Sequence, residues 1–220
     1  NSSWYRHSLM GMASYNFRNK YMVDVVANRY GTSVLLKGDK FRFYPAVSAA
    51  WVLSNEDFLK DRSFVDLLKL RLSYGRSAVD NLAYGLGKHY WSSLREYYFG
   101  DSNTEVSGYL ERKIPMRSLE LETADKYNIG LDVQLFKKLS FTADMYYDKR
   151  SNILVSNNKV SGMIGIDVPQ QNVGKVESKG LELSLGWNDK IRDFRYYING
   201  NVSFMDSKVL ENGEGYQPYD

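Results

Sequence analysis

Hydrophobic and polar positions alternate with period two over most of this chain, most clearly from Asp125 to Lys149. One face of the first half carries Tyr127, Ile129, Leu131, Val133 and Leu135. The other carries Lys126, Asn128, Gly130, Asp132 and Gln134. Beyond Lys137-Lys138 the pattern resumes, with Leu139, Phe141, Ala143, Met145 and Tyr147 opposed by Ser140, Thr142, Asp144 and Asp148. Strict alternation marks a half-buried strand, and two runs across a tight connection mark a hairpin. Both arms exceed the roughly 5–6 residues of an ordinary soluble strand. They reach the roughly 9–11 that a tilted strand needs to cross a bilayer. The polar face is rich in acids and amides, as the wall of a wet lumen would be.

The same grammar recurs along the chain. His7 to Phe17 places Leu9, Gly11, Ala13, Tyr15 and Phe17 on one face, and Arg18-Asn19-Lys20 leads into Tyr21, Val23, Val25 and Ala27, opposed by Asp24 and Asn28. Phe41 to Leu53 follows, with the strand proper expected to start near or after Pro45, because proline donates no ladder hydrogen bond. Ser54 to Asp66 breaks the pattern. Ser54 and Asp57 have the spacing of a capping box with Asp in place of Glu, which predicts a short helical turn. Alternation returns over Leu67 to Gly75. Residues 76–123 are irregular, and an up-and-down chain allows them no extra strand or an even number. Ser151 to Lys175 reads as a loop, followed by strands over Leu181–Asn188 and from Phe194 to Phe204, with Asn199-Gly200 kept inside a strand because the phase runs through it. From Ser207 onward the chain is expected to be loop-like.

Connections alternate short (18–20, 137–138, 188–193) and long (31–40, 76–123, 151–175), as they do in outer-membrane barrels with short periplasmic turns and long outer loops. Aromatic residues flank the short turns on the apolar face: Phe17, Tyr21, Phe141, Trp187, Phe194 and Tyr196. Amphipathic rings favour the membrane–water boundary, so they predict a girdle on the turn side. A soluble β-sandwich with aromatic core residues remains the alternative, and strand length and the long polar faces favour the barrel. The fold class expected is therefore all-β: an antiparallel up-and-down transmembrane barrel segment of roughly eight to ten strands.

Composition is compatible with this reading. The 220 residues have 18 Tyr and 4 Trp, and a mean hydropathy of −0.46. A barrel combines aromatic richness with a polar average because alternate strand residues and the loops are wet. The net charge of +3 forms no basic stripe with interleaved aromatics, which argues against nucleic-acid binding. With no cysteine there is neither a disulfide scaffold nor a Cys-based zinc site. No apolar run approaches the roughly 18 residues of a transmembrane helix. The start lacks an initiator Met, a basic region and an apolar signal core, so the chain reads as an internal piece.

Several blocks then resemble one family in order along the chain: YNFRNKYMVDVVANRYGTS (15–33), FYPAVSAAWVLSNEDFLKD (43–61) and LKLRLSYG (68–75). LELETADKYNIGLDVQLFKKLSFTADMYYDKR (119–150) and NVGKVESKGLELSL (172–185) continue the series. These resemble the SusC/RagA family of TonB-dependent outer-membrane transporters of the Bacteroidetes. The resemblance implies that residues 1–220 are part of a single receptor barrel domain, with the plug and amino-terminal extension elsewhere. It also implies a complete barrel of about 22 strands and location in the Gram-negative outer membrane. A SusD-like surface lipoprotein, TonB acting through the plug, membrane lipid and an oligosaccharide or peptide cargo are the partners it implies. A passive porin and a secreted carbohydrate-binding β-sandwich remain the alternatives.

Candidate chemistry is sparse. His7 and His89 have no second His at ligand spacing. Asp101 to Glu105 begins like a calcium loop, but Val106 stands where the turn needs Gly and Arg112 where the bidentate Glu belongs. There is no G-x-S-x-G elbow and no phosphate loop. No enzyme, metal or cofactor is expected. Alternation assigns Asp24, Asn28, Arg71, Asp132, Asp144, Glu182 and Asn201 to the lumen side. Tyr90, Trp91, Tyr97, Tyr98 and Phe99 are the candidate substrate or partner contacts, as rings on an outward loop; an upper aromatic girdle or loop packing is the alternative.

Overall fold

The computed structural model describes residues 5–35, 40–59, 62–82, 85–99, 101, 104–156, 166 and 168–213; within these, the side chains of 94–97, 99, 104, 105 and 112 lie outside the description. Among these described residues ten strands follow one another: β1 (Arg6–Phe17), β2 (Tyr21–Thr32), β3 (Phe41–Val52), β4 (Val65–Val79), β5 (Tyr90–Phe99), β6 (Thr104–Lys113), β7 (Glu122–Leu135), β8 (Leu139–Val155), β9 (Gln171–Ile191) and β10 (Phe194–Glu211). Eight form one antiparallel sheet in the order β1-β2-β3-β4-β7-β8-β9-β10, and β5 and β6 pair only with each other. Residues 76–123 therefore contribute an even number of extra strands, and that pair stands apart from the wall.

Directly paired residues point to the same side of an antiparallel sheet, so the register assigns every side chain to a face. Val25↔Val47, Leu72↔Ile129, Ile129↔Met145 and Met145↔Leu181 run across the apolar face. That face stays open: Val25, Val47, Leu72, Ile129, Met145 and Leu185 are all exposed. A sandwich would bury it under a second sheet, and among the described residues the only other sheet is the β5–β6 pair. The open face sets this sheet apart from a sandwich sheet, whose apolar side is buried. Among the described residues no helix is long and apolar enough to cross a membrane.

The short connections use left-handed backbone. Arg18 and Asn19 have φ of 56° and 53°, and Phe136 and Lys137 have 57° and 54°. In each, the following amide closes the turn: Lys20 N–H on the Phe17 carbonyl and Lys138 N–H on the Leu135 carbonyl, both at 3.0 Å. Paired positive φ values match the twist of the flanking strands.

Four sequence expectations are corrected. β3 begins at Phe41 and passes through Pro45, which pairs with Ala27 of β2. Proline is tolerated because the β3–β4 ladder starts only at Ala46↔Gly75, so no neighbour on that side needs its missing N–H. Ser54 does not cap a helix. The connection holds one 3-10 turn, Leu53–Asn55, without a side-chain cap; the Ser54 hydroxyl is buried without a partner, and Asp57 pairs with Lys20 at 3.5 Å. The loop expected over 151–175 is strand at both ends, where β8 runs on to Val155 and β9 starts at Gln171, around register shifts near Arg150 and Ile153. β10 likewise continues past Ser207 to Glu211. Asn199-Gly200 does lie inside β10, with Gly200 opposite Leu185.

Candidate functional site

The polar face has its own architecture. Row by row across the sheet, register aligns Asp24 with Ser48, Ser73, Asn128, Tyr146 and Gly180. The next row runs Ala50, Arg71, Gly130, Asp144, Glu182 and Ser203, and the next Lys69, Asp132, Thr142, Ser184 and Asn201. Asn28, opposite Tyr44, belongs to the same face. All seven residues assigned to it from the sequence thus share one side of the sheet. Arg71 joins three strands, donating from Nε and Nη2 to Asp132 at 2.9 and 3.0 Å and from Nη2 to Asp144 at 3.0 Å. Its guanidinium lies over Gly130, where a Cβ would come within 2.6 Å of the Arg71 Cζ and of Asp144 Oδ1. Tyr146 lies over Gly180 in the same manner, 2.4 Å from where a Cβ would stand. Asp24 accepts from the Ser48 hydroxyl at 3.2 Å, and Asn28 from Ser8 at 2.8 Å. Glu182 and Asn201 are exposed on this face. Asp24, Ser48, Arg71, Asn128 and Tyr146 of this face border a groove of about 820 Å³.

At the loop end the polar face is covered. Tyr30 and Tyr44 reach up from β2 and β3, and Leu35, Leu86, Met116, Leu119 and Leu121 close over them in the main buried cluster. The segment after β4 crosses this end: Asp80 accepts from Arg6 Nε on β1 at 2.6 Å and from the Tyr30 hydroxyl on β2. The segment before β7 is fixed on the other side, where Glu120 and Asn172 exchange backbone-to-amide hydrogen bonds at 3.1 and 3.0 Å, and Asn172 also donates to the Asn152 carbonyl at 2.9 Å. The Met116 N–H bonds the Leu86 carbonyl at 3.0 Å, drawing the two segments together. The β5–β6 hairpin rises from this base, closed at its foot by His89 Nδ1 against Glu111 Oε1 at 2.5 Å.

Of the candidate ring contacts, Tyr90, Trp91 and Tyr98 are exposed on β5. The side chains of Tyr97 and Phe99 lie outside the described residues. Trp91 pairs with Glu111 and Ser93 with Tyr109, so Trp91 and Tyr109 share one hairpin face. Tyr109, 76% exposed, went unnoticed in the sequence. Its neighbours on the same face of β6, Ser107 and Glu111, are polar, so no apolar period marks it.

Two aromatic belts border the apolar face. On the turn side, Tyr21 and Trp51 lie with centroids 6.2 Å apart, with Tyr15–Phe17 stacked on neighbouring β1 and Phe194–Tyr196 stacked at the other edge on β10. Glu56 ties this belt to the turns, accepting from Tyr21 Oη at 2.7 Å, Lys20 Nζ at 3.0 Å and Trp51 Nε1 at 3.0 Å. Those hydrogen bonds, from Tyr21 foremost and then Lys20 and Trp51, hold its carboxyl at about 2, and the Lys20 ammonium is raised in turn. On the loop side stand Tyr74, Tyr127 and Tyr147, neighbours at 5.0 and 6.2 Å. The upper girdle is thus on the wall, and the 90–99 rings belong to the hairpin instead. Among the described residues no cluster of His, Asp and Glu could hold a metal ion.

Comparison with known proteins agrees with this geometry. Residues 5–219 match the family described as TonB dependent receptor-like, beta-barrel. A TonB-dependent receptor of Formosa agariphila is 29% identical over 212 residues, covering 94% of this chain and 21% of that protein. The TonB-dependent receptor SusC of Bacteroides thetaiotaomicron is 25% identical over 217 residues, covering 93% and 21%. Among solved structures, the RagAB peptide importer in its open-open state superposes with a TM-score of 0.82 at 19% identity, covering 94% of this chain and 22% of that one. The chain spans about a fifth of the length of these relatives.

Proposed function

The chain belongs to the TonB-dependent receptors, as part of their outer-membrane β-barrel, and from that premise we propose that it forms wall and mouth of an importer. Its cargo is an oligosaccharide or a peptide, captured with a SusD-like surface lipoprotein and drawn in by TonB through the plug. The sheet with two unlike faces carries this reading. An apolar side bordered by a turn-side belt of Tyr, Trp and Phe and a loop-side belt of Tyr suits lipid. The opposite side, with Asp24, Asn28, Arg71, Asp132, Asp144, Glu182 and Asn201, lines the lumen or touches the plug. Rigid support for the loop-end hairpin fits a capture role, because exposed rings on a fixed base engage a ligand at little entropic cost. Trp91 and Tyr109 are the contacts proposed there, with Tyr90 and Tyr98 beside them; the relatives named for SusC and for peptide import favour an import role without choosing the cargo.

The test is uptake by cells carrying the full-length receptor, with and without a proton-gradient uncoupler, alongside pull-down of the neighbouring surface lipoprotein. Energised uptake should stop with the uncoupler, and the Trp91→Ala/Tyr109→Ala double variant should weaken uptake or pull-down while the barrel still assembles. Uptake indifferent to the uncoupler would make the protein a passive porin. Unchanged uptake and pull-down in the double variant would remove the hairpin from the capture role.

A further inference from the structure

The loop-side belt does more than mark a boundary. Two of its three rings are held by hydrogen bonds pointing away from the apolar band: Tyr74 Oη donates to Asp125 at 2.9 Å and Tyr147 Oη to Glu177 at 3.1 Å. Turnward of Tyr127 and Tyr147 the apolar face opens into a groove of about 560 Å³, floored by Ile129, Met145 and Leu181 and walled on the far side by Phe204. At its mouth Lys179 faces Asp206, 3.4 Å away. One row loopward, register aligns Arg76, Asp125, Lys149, Glu177 and Lys208 on the same face. Each carboxylate of this rim is already engaged: Asp125 is clasped by Arg76 at 2.7 and 3.0 Å, Glu177 takes the Tyr147 hydroxyl, and Asp206 faces Lys179. Lys149 and Lys208 stand exposed in that row, so four cations meet three occupied carboxylates.

We propose that this groove seats one phosphate-bearing lipid of the outer leaflet, its acyl chain along Met145 and Leu181 and its phosphate against Lys149 and Lys179. Straight methylene chains suit a trough lined by aromatic rings and flexible Met and Leu side chains. A phosphate at the membrane surface gains from each nearby lysine, and the charge of the rim is complementary to it. Lipid and rim meet at the level where the apolar band ends, so chain and headgroup are satisfied together. The inference rests on the apolar face being lipid-facing, but not on the cargo or on energised import. Failure here would leave uptake untouched, and failure of the importer reading would leave lipid retention untouched.

The experiment is native mass spectrometry of the full-length receptor in dodecyl maltoside, titrated with bis-phosphorylated lipid A and, separately, with its dephosphorylated form. Wild type is expected to retain a single phosphorylated molecule and to bind the dephosphorylated form more weakly. Met145→Trp, which fills the trough, and Lys149→Ala/Lys179→Ala, which strips the rim, should each lower occupancy about tenfold. Lys149→Arg/Lys179→Arg should retain it, and heat-modifiable mobility on gels checks that each barrel is folded. Equal retention by wild type and both disruptive variants would overturn the proposal. So would equal binding of the two lipid forms, or a ladder of lipids with no preferred single occupancy.

Discussion

A guanidinium can lie flat across a strand only where that strand carries no side chain, and Gly130 gives Arg71 that room. The three side chains retain 21–33% exposure, so solvent screens part of their attraction. Arg71→Ala should therefore cost about 1–2 kcal/mol, between an exposed and a buried pair. Gly130→Ala would push Arg71 off Asp144, so the double variant should cost little more than Arg71→Ala alone. Denaturant unfolding of the full-length receptor in detergent checks this; additive costs would show that Gly130 acts independently of Arg71. Glu56 behaves differently because its bonds favour the charged form. Its folded value of about 2 lies below the ordinary 4.5, so its contribution is complete above about pH 5 and fades as pH falls toward 2. The Tm difference between wild type and Glu56→Gln should be constant above that range and shrink below it. A difference that instead grows on acidification would contradict the assignment. The sequence displayed Arg71, Asp132 and Asp144 as polar positions through their period. It gave no sign of Glu56, which sits in an aperiodic connection and meets Lys20 from another turn.

Strands and loops differ in how openly the sequence declares them. Within the band each strand alternates because lipid and lumen impose opposite demands on successive residues, and there β1, β2, β4, β7 and the first half of β8 are legible. Above the band both faces are wet, so β8, β9 and β10 extend to 17, 21 and 18 residues without a pattern to announce it. Asn152, with φ of 58°, lies in the irregular stretch of β8 and breaks the phase there. The β5–β6 hairpin was hidden for a similar reason, since two register shifts interrupt it. Its footing is nevertheless apolar, and it should be sensitive to the cluster beneath. Leu119→Ala removes a side chain only 6% exposed, and about 2–4 kcal/mol of local stability should go with it. Asp80→Ala, which removes the carboxylate that accepts from Arg6 Nε and the Tyr30 hydroxyl, should act in the same direction. Hydrogen exchange of residues 85–116 ought to accelerate in both variants while β7 and β8 stay protected. Uniform acceleration across the sheet would mean that the cluster stabilises the wall rather than the hairpin.

For the molecule as a whole, the decisive property is that one sheet presents lipid-compatible side chains on one face and a hydrogen-bonded polar network on the other. The fold class and this division were legible because length and alternation are imposed by the bilayer itself. The covering of the polar face at the loop end was not, because Leu35, Leu86 and Leu119 come together only after β4, the hairpin and β7 are in place. The most direct measurement of the central claim uses the absence of cysteine from these 220 residues. Single cysteines at successive positions from Tyr127 to Leu135 of the full-length receptor would be spin-labelled in lipid vesicles and probed with oxygen and with a water-soluble nickel chelate. The account predicts period-two accessibility, with oxygen reaching 127, 129, 131, 133 and 135 and the chelate favouring 128, 132 and 134. Chelate access to the odd positions equal to that at the even ones would mean that the apolar face meets water, and the membrane wall would be the wrong account.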